Sequence, residues 1–230
     1  MDPLRYELDD GVAVVTMDDG KANALSATML DALAGALDRA EREAKAMVLA
    51  GRTDRFSGGF DLKVMMAGPD AARGLLIQGG ELLMKLYGAG LPLVIACTGH
   101  ALAAGALVVL TGDYRVGARG AYKLGLNEAG IGLPVPVLAM ELARDRLSRR
   151  ALVRATLLGE IYDPDTALAV GYLDAVVAPD EVVARAVGEA RKLGAISKPA
   201  FRHTKQRLRG ATIAHVRATS EADLRELMPS

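Results

Sequence analysis

Short apolar runs bounded by glycine-rich turns recur along this chain, each leading into a segment of helical period, and that alternation constrains the fold more than any other feature. Gly11-Val12-Ala13-Val14-Val15-Thr16-Met17 reads as a strand, and Ser26 stands as an N-cap ahead of leucines at 30, 33 and 37. Residues 46–50 form a second apolar run, followed by the turn Phe56-Ser57-Gly58-Gly59-Phe60 and a helical period over 74–87. Residues 92–97 repeat the pattern, passing through Thr98-Gly99-His100 into a small-residue stretch at 101–110 and a further strand at 114–118. Strands alternating with helices predict an α/β fold with largely parallel pairing and right-handed crossovers.

Beyond Pro136 the character changes. Residues 138–147, 149–158, 163–170 and 180–193 all carry helical patterns with short connections, 198–210 is basic, and 213–227 is a last amphipathic candidate. The expected organisation is an α/β core over 1–190 followed by a helical region over 191–230. With 230 residues and 51% hydrophobic content the chain can bury one substantial core and a small appendage. Twenty-eight basic residues balance twenty-eight acidic ones, so no overall field favours nucleic acid or an anionic membrane surface. No run approaches the roughly 18 apolar residues of a membrane span, and the N-terminus lacks a cationic segment followed by an apolar one. Cys97, the single cysteine, sits in an apolar run as a small buried hydrophobe and can form no intramolecular disulfide. A cytoplasmic location is expected.

Two places combine small residues with a strand-to-helix transition, Ser57-Gly58-Gly59-Phe60-Asp61-Leu62 and Ala103-Ala104-Gly105-Ala106-Leu107. A ligand approaches the main chain closely only past glycine or a small side chain, and the first N–H groups of a helix have no internal partners. Such amides can hold an oxygen carrying negative charge. Taken singly, each segment is as readily an ordinary structural turn.

Together with Gly99-His100-Ala101-Leu102-Ala103-Ala104-Gly105, Asp113-Tyr114-Arg115 and Gly171-Tyr172-Leu173-Asp174-Ala175-Val176-Val177, these segments resemble the signature of the enoyl-CoA hydratase/isomerase (crotonase) superfamily, in the expected order from about residue 8 to residue 210. The resemblance implies a crotonase-like fold, a spiral of ββα units with a helical C-terminal region. It also implies an acyl-CoA thioester as substrate and two backbone amides, those of Phe60 and Ala104, holding the thioester oxygen. The family usually has glycine where Ala104 stands. The role needs only the amide, at the cost of one extra methyl group in the pocket.

The family's hydratases use two glutamates, and the position of the first is occupied here by Leu107. The second falls in Gly125-Leu126-Asn127-Glu128-Ala129-Gly130-Ile131-Gly132-Leu133-Pro134, which is similar to the segment of mitochondrial-type Δ3-Δ2-enoyl-CoA isomerases that carries a single catalytic glutamate. One base suffices to move a proton from C2 to C4, with no water to activate. Enclosure by Leu124, Leu126, Ile131 and Leu133 is expected to desolvate Glu128 and raise its pKa toward neutrality. Leu107 is expected to keep water from the enolate. Glu128 is therefore the expected proton shuttle of an isomerase in fatty-acid metabolism. The alternatives are a 2-enoyl-CoA hydratase and a CoA-binding protein without catalysis.

For the CoA portion, the resemblance points to Lys21, Lys63 and Lys205, with Arg52 and Arg55 more loosely, and to a binding segment containing Ala24, Leu25, Gly59 and Asp61, with Leu107 and Leu133 on the acyl side. Asp61 beside its tight turn is read as scaffolding, and Asp113 with Arg115 as a structural ion pair. No metal is expected, since His203 and His215 lack ligand spacing, and no cofactor beyond the CoA of the substrate. Relatives of this kind form trimers or dimers of trimers, with which an apolar stripe at Leu138, Leu142 and Leu147 is compatible.

Overall fold

The computed structural model describes residues 3–227. The chain begins with β1 (Leu4–Asp9) and β2 (Val12–Met17), an antiparallel hairpin in which Asp9 faces Val12 across the two-residue turn Asp10-Gly11. Both turn residues have positive φ, 47° and 75°, as the tight hairpin turn demands. Helix α1 (Ala27–Glu43) follows, capped by the Ser26 hydroxyl, which accepts from the Met29 N–H at 3.3 Å. Its stripe of Met29, Leu30, Leu33, Leu37 and Ala40 is wholly buried.

Next come β3 (Ala46–Ala50), β4 (Asp54–Ser57), the short α2 (Leu62–Met65) and α3 (Pro69–Tyr87). Strands β5 (Leu93–Cys97) and β6 (Gly99–Leu102) lead to α4 (Ala104–Thr111), then β7 (Tyr114–Ala118) and β8 (Leu124–Gly125). The remainder is α5 (Val137–Arg146), a π-helical turn over Val153–Leu157, α6 (Pro164–Val170), β9 (Ala175–Val177), α7 (Val182–Gly194) and α8 (Lys198–Leu227).

Six strands form one sheet in the order β1-β2-β3-β5-β7-β9, parallel except for the first hairpin. A second, three-stranded parallel sheet has the order β4-β6-β8. The large sheet is covered on both faces, which explains why β3 and β5 are apolar at every position. Met47, Leu49, Leu93 and Ile95 point into the main core with α1 and α4, while Val48, Ala50, Val94 and Ala96 meet Val182, Ala186 and Ala190 of α7 on the opposite face. Ala190 is thus a core residue, and the expected division at 190/191 falls inside α7. Helix α4 is buried around its whole circumference, as an apolar helix without a polar face must be.

Several local expectations are corrected. The patterns over 198–210 and 213–227 form one continuous helix that runs through Gly210, since one helical glycine costs only about 1 kcal/mol. The helix expected over 149–158 is reduced to the π-helical turn, with Val153, Leu157 and Leu158 exposed. The stripe at Leu138, Leu142 and Leu147 faces inward rather than toward another subunit: Leu142 and Leu147 are buried, and Leu138 packs on the main core. Asp113 and Arg115 do not pair with each other. Arg115 forms a two-pronged bond with Asp174 (2.7 and 2.8 Å), whereas Asp113 receives Lys205 at 2.7 Å and Arg209 at 3.0 Å.

Candidate active site

The first turn is held by a buried asparagine that the sequence did not single out. Asn23, with φ 50°, donates from its side-chain amide to the carbonyls of Met17, Arg55 and Phe56, and its own carbonyl accepts the Ser57 hydroxyl at 2.8 Å. Gly58 N–H donates to Ala22, and Leu25 N–H to Gly59 at 2.8 Å. Leu25 and Phe60 form a parallel bridge in which Gly59 accepts from Leu25 and Asp61 donates to it. In that pattern the residue between them aims its own amide to the other side. The Phe60 N–H accordingly makes no hydrogen bond within the described residues. Asp61 closes the turn by capping α2, accepting from Lys63 N–H at 2.9 Å.

The second turn abuts the first. Ala103 precedes α4 with φ 50° and ψ −126°, and its N–H donates to the Gly125 carbonyl at 3.0 Å. Ala104 opens α4, where a first-turn amide has no intrahelical acceptor, and it too donates to nothing among the described residues. The two turns meet at Gly59, whose φ is +95°. A Cβ there would lie 3.1 Å from Ala103 Cβ and 3.4 Å from the Ala104 nitrogen. At Gly105 a side chain would run into the Ser57 carbonyl. Two unengaged amides are therefore carried on touching turns, the arrangement that binds an oxyanion.

Glu128 follows closely. Strand β6 pairs Leu102 with Gly125 of β8, so Glu128 lies three residues beyond the carbonyl that tethers Ala103. Burial raises its pKa above the ordinary 4.5, countered in part by its own backbone N–H. Its Oε2 is buried without a hydrogen-bond partner among the described residues. The expected enclosure is only half present: Leu124 and Leu126 are buried, but Ile131 and Leu133 are 60% and 47% exposed.

A cavity of about 100 Å³ opens beside Phe60 and Leu107, walled by Leu76, Leu83 and Met84 of α3, Leu138 of α5, and Val216 and Leu224 of α8. The Phe60 ring lies against α3 at Gly79. Glu128 and Leu133 are not part of this wall. Its two carboxylates are engaged elsewhere: Glu81 pairs with Arg217 at 3.2 Å, and Asp223 accepts the Val137 N–H at 2.8 Å, capping α5.

Of the expected CoA contacts, Lys21 and Lys63 are exposed beside the first turn, Ala24 is half-buried and Leu25 buried within it. Arg52 donates to the Lys21 carbonyl at 2.9 Å. Lys205 differs from the expectation. Its ammonium is 5% exposed and bonded to Asp113, and burial lowers its pKa to about 8 against the pull of that carboxylate. The pairing turns it inward and ties α8 to the start of β7. His100 is half-buried, its Nδ1 accepting from Lys123 N–H. Among the described residues no group of three or more His, Cys, Asp or Glu side chains is placed to hold a metal, and no helix is long and apolar enough to cross a membrane.

A family profile described as enoyl-CoA hydratase/isomerase matches residues 7–228. The human mitochondrial enoyl-CoA delta isomerase 1 is 33% identical over 223 residues, covering 95% of this chain and 74% of its own length. A crystal structure of an enoyl-CoA hydratase/isomerase family protein from Pseudomonas syringae superposes with a TM-score of 0.96 at 38% identity, covering 99% of both chains. An enoyl-CoA hydratase from Mycobacterium marinum gives 0.92 at 40% identity, covering 98% of this chain and 100% of its own.

Proposed function

We propose that this chain, an enzyme that belongs to the enoyl-CoA hydratase/isomerase family, moves the double bond of a 3-enoyl-CoA thioester from C3–C4 to C2–C3. The amides of Phe60 and Ala104 donate to the thioester oxygen and stabilise the dienolate formed when C2 loses a proton. Glu128 takes that proton and returns it at C4, ending in the ionisation state in which it began. The observation that carries this assignment is a partly buried carboxyl group, Glu128, whose Oε2 is enclosed beside the turn that presents Ala104, with leucine at position 107 where a water-ordering carboxylate would stand. Among the described residues, the two carboxylates of the neighbouring cavity, Glu81 and Asp223, are engaged by Arg217 and by the Val137 N–H, which disfavours hydration.

The acyl tail fits the apolar cavity beyond Phe60 and Leu107, and the exposed Lys21 and Lys63 lie where the CoA phosphates would emerge. Leu107, only 4% exposed, keeps water from the enolate. The test is Glu128→Gln assayed with 3-enoyl-CoA and 2-enoyl-CoA. Loss of a positioned base lowers isomerisation by about 10²–10⁴-fold, while acyl-CoA binding persists. Undiminished isomerisation, or a wild type that only hydrates 2-enoyl-CoA, overturns the assignment.

A further inference from the structure

The cavity beside Phe60 and Leu107 carries a mark of the acyl length it takes. Two consecutive glycines, Gly79 and Gly80, stand in the second half of α3. Glycine is the poorest helix former after proline, and the two have different surroundings. At Gly79 a side chain would run into Cε1 and Cζ of the Phe60 ring. That glycine seats the residue whose amide is assigned to the thioester oxygen. At Gly80 a Cβ would meet only Leu138 Cδ1, at 3.5 Å, an ordinary contact. Gly80 lines the cavity, so the space that its missing side chain leaves free is cavity space.

That cavity is elongated. It is lined along α3 from Leu76 to Met84 and along α8 from Val216 to Leu227, spans of about 12 Å and 16 Å at the rise of an α-helix. A hydrocarbon chain with bonds of roughly 1.5 Å advances a little over 1 Å per carbon, so walls of this length suit on the order of eight to ten carbons. Gly80 sits midway along the α3 wall, four residues from each end. The polar groups at the wall are engaged: Glu81 pairs with Arg217, Asp223 accepts the Val137 N–H, and the Ser220 hydroxyl donates to the Arg217 carbonyl at 3.2 Å. The remaining surface is apolar and suits plain hydrocarbon.

We propose that Gly80 is the specificity-determining residue for acyl length, its missing side chain leaving the passage by which an unbranched tail of about eight or more carbons runs past Leu138 toward Leu224. This rests on the assignment of the cavity to the acyl tail of a 3-enoyl-CoA. A side chain at position 80 and the middle of such a tail compete for one space, whereas a short tail ends before reaching it.

The experiment is Gly80→Leu, which puts a strong helix former on the cavity wall. Dissociation constants of butanoyl-CoA and decanoyl-CoA are measured by calorimetry, and kcat/KM with 3-hexenoyl-CoA and 3-decenoyl-CoA. Each methylene that the wild type buries tightens binding about fourfold, so its decanoyl-CoA complex is at least about tenfold tighter than its butanoyl-CoA complex. In Gly80→Leu the decanoyl-CoA affinity and the kcat/KM for 3-decenoyl-CoA fall by about 10–100-fold, while the short-chain values fall by no more than about twofold. Should Gly80→Leu fold poorly, Gly80→Ala, whose Cβ has room beside Leu138, gives the same selective loss reduced to about fourfold. Equal losses for short and long chains, a long-chain preference that survives both substitutions, or a wild type that binds the two thioesters alike overturns the proposal. Saturated thioesters bind without turnover. A length preference that Gly80→Leu abolishes, in a protein that does not isomerise 3-enoyl-CoA, therefore sinks the assigned reaction and leaves the acyl passage standing.

Discussion

Ala103 is the most strained residue around the two amides. Its φ of 50° with ψ −126° lies outside the small left-handed well open to L-residues, and such backbone costs of order 1–3 kcal/mol. The strain is held by the Ala103 N–H bond to Gly125 and by Gly59 packing beneath, and it aims the Ala104 amide outward. Ala103→Gly should therefore raise stability by about 1 kcal/mol, roughly 2–4 °C in melting temperature for a chain of this size. A lower melting temperature in a calorimetric scan would contradict it. Glu128 carries the pH dependence. A base must be deprotonated to accept C2's proton, and burial raises this carboxyl, so isomerisation should rise with pH through a midpoint above 4.5. An acidic limb at or below 4.5 in a kcat/KM profile would show a solvated group at work. Phe60, Ala104 and Glu128 could be named from sequence because each belongs to a short contiguous motif. Asn23 could not, since its importance comes from segments joined only by folding, and the exposure of Ile131 and Leu133 depends on which way a glycine-punctuated loop turns.

Helix α8 does more than its basic composition suggests. Lys205 and Arg209 converge on Asp113, Arg209 also donates to the carbonyls of Tyr87 and Thr111, and Asp223 caps α5. These contacts set Val216 and Leu224 over the cavity. Removing one partner of a buried ion pair strands the other, but Asp113 retains Arg209 and the Leu93 N–H. Lys205→Met should thus cost roughly 1–3 kcal/mol, read by urea denaturation, rather than the larger loss of an orphaned charge. An unchanged midpoint would mean that α8 docks without this pair. A charge pairing between residues 92 positions apart leaves no local trace, so Lys205 resembled a free cation in sequence. The hairpin at Asp10-Gly11 is absent from the sequence reading although the dipeptide is a strong two-residue turn signal, because the tyrosine and leucine of β1 alternate with charges. Strands β4, β6 and β8, of four, four and two residues, are too short for periodicity to reveal.

Across the whole molecule, the α/β alternation predicted the large parallel sheet from four runs, 11–17, 46–50, 92–97 and 114–118, of which β3 and β5, covered on both faces, are apolar throughout. With Leu142 and Leu147 turned inward, Val153, Leu157 and Leu158 form one cluster in sequence among the exposed apolar side chains. Assembly as a trimer or a dimer of trimers with this cluster in the interface would cover them. Light scattering should then show three or six chains, and Leu157→Glu with Leu158→Glu should lower that number; an unaltered particle would place the interface elsewhere. The central claim joins the sheet, the two turns and the lone acid in one reaction, and it is tested most directly by the fate of a single proton. Wild-type enzyme given 3-enoyl-CoA in deuterated water for less than one turnover should yield 2-enoyl-CoA in which part of the C2 hydrogen reappears at C4, carried there by one shielded carboxyl group. A 3-hydroxyacyl-CoA as the first product, or a new C4 hydrogen drawn wholly from solvent, would contradict it.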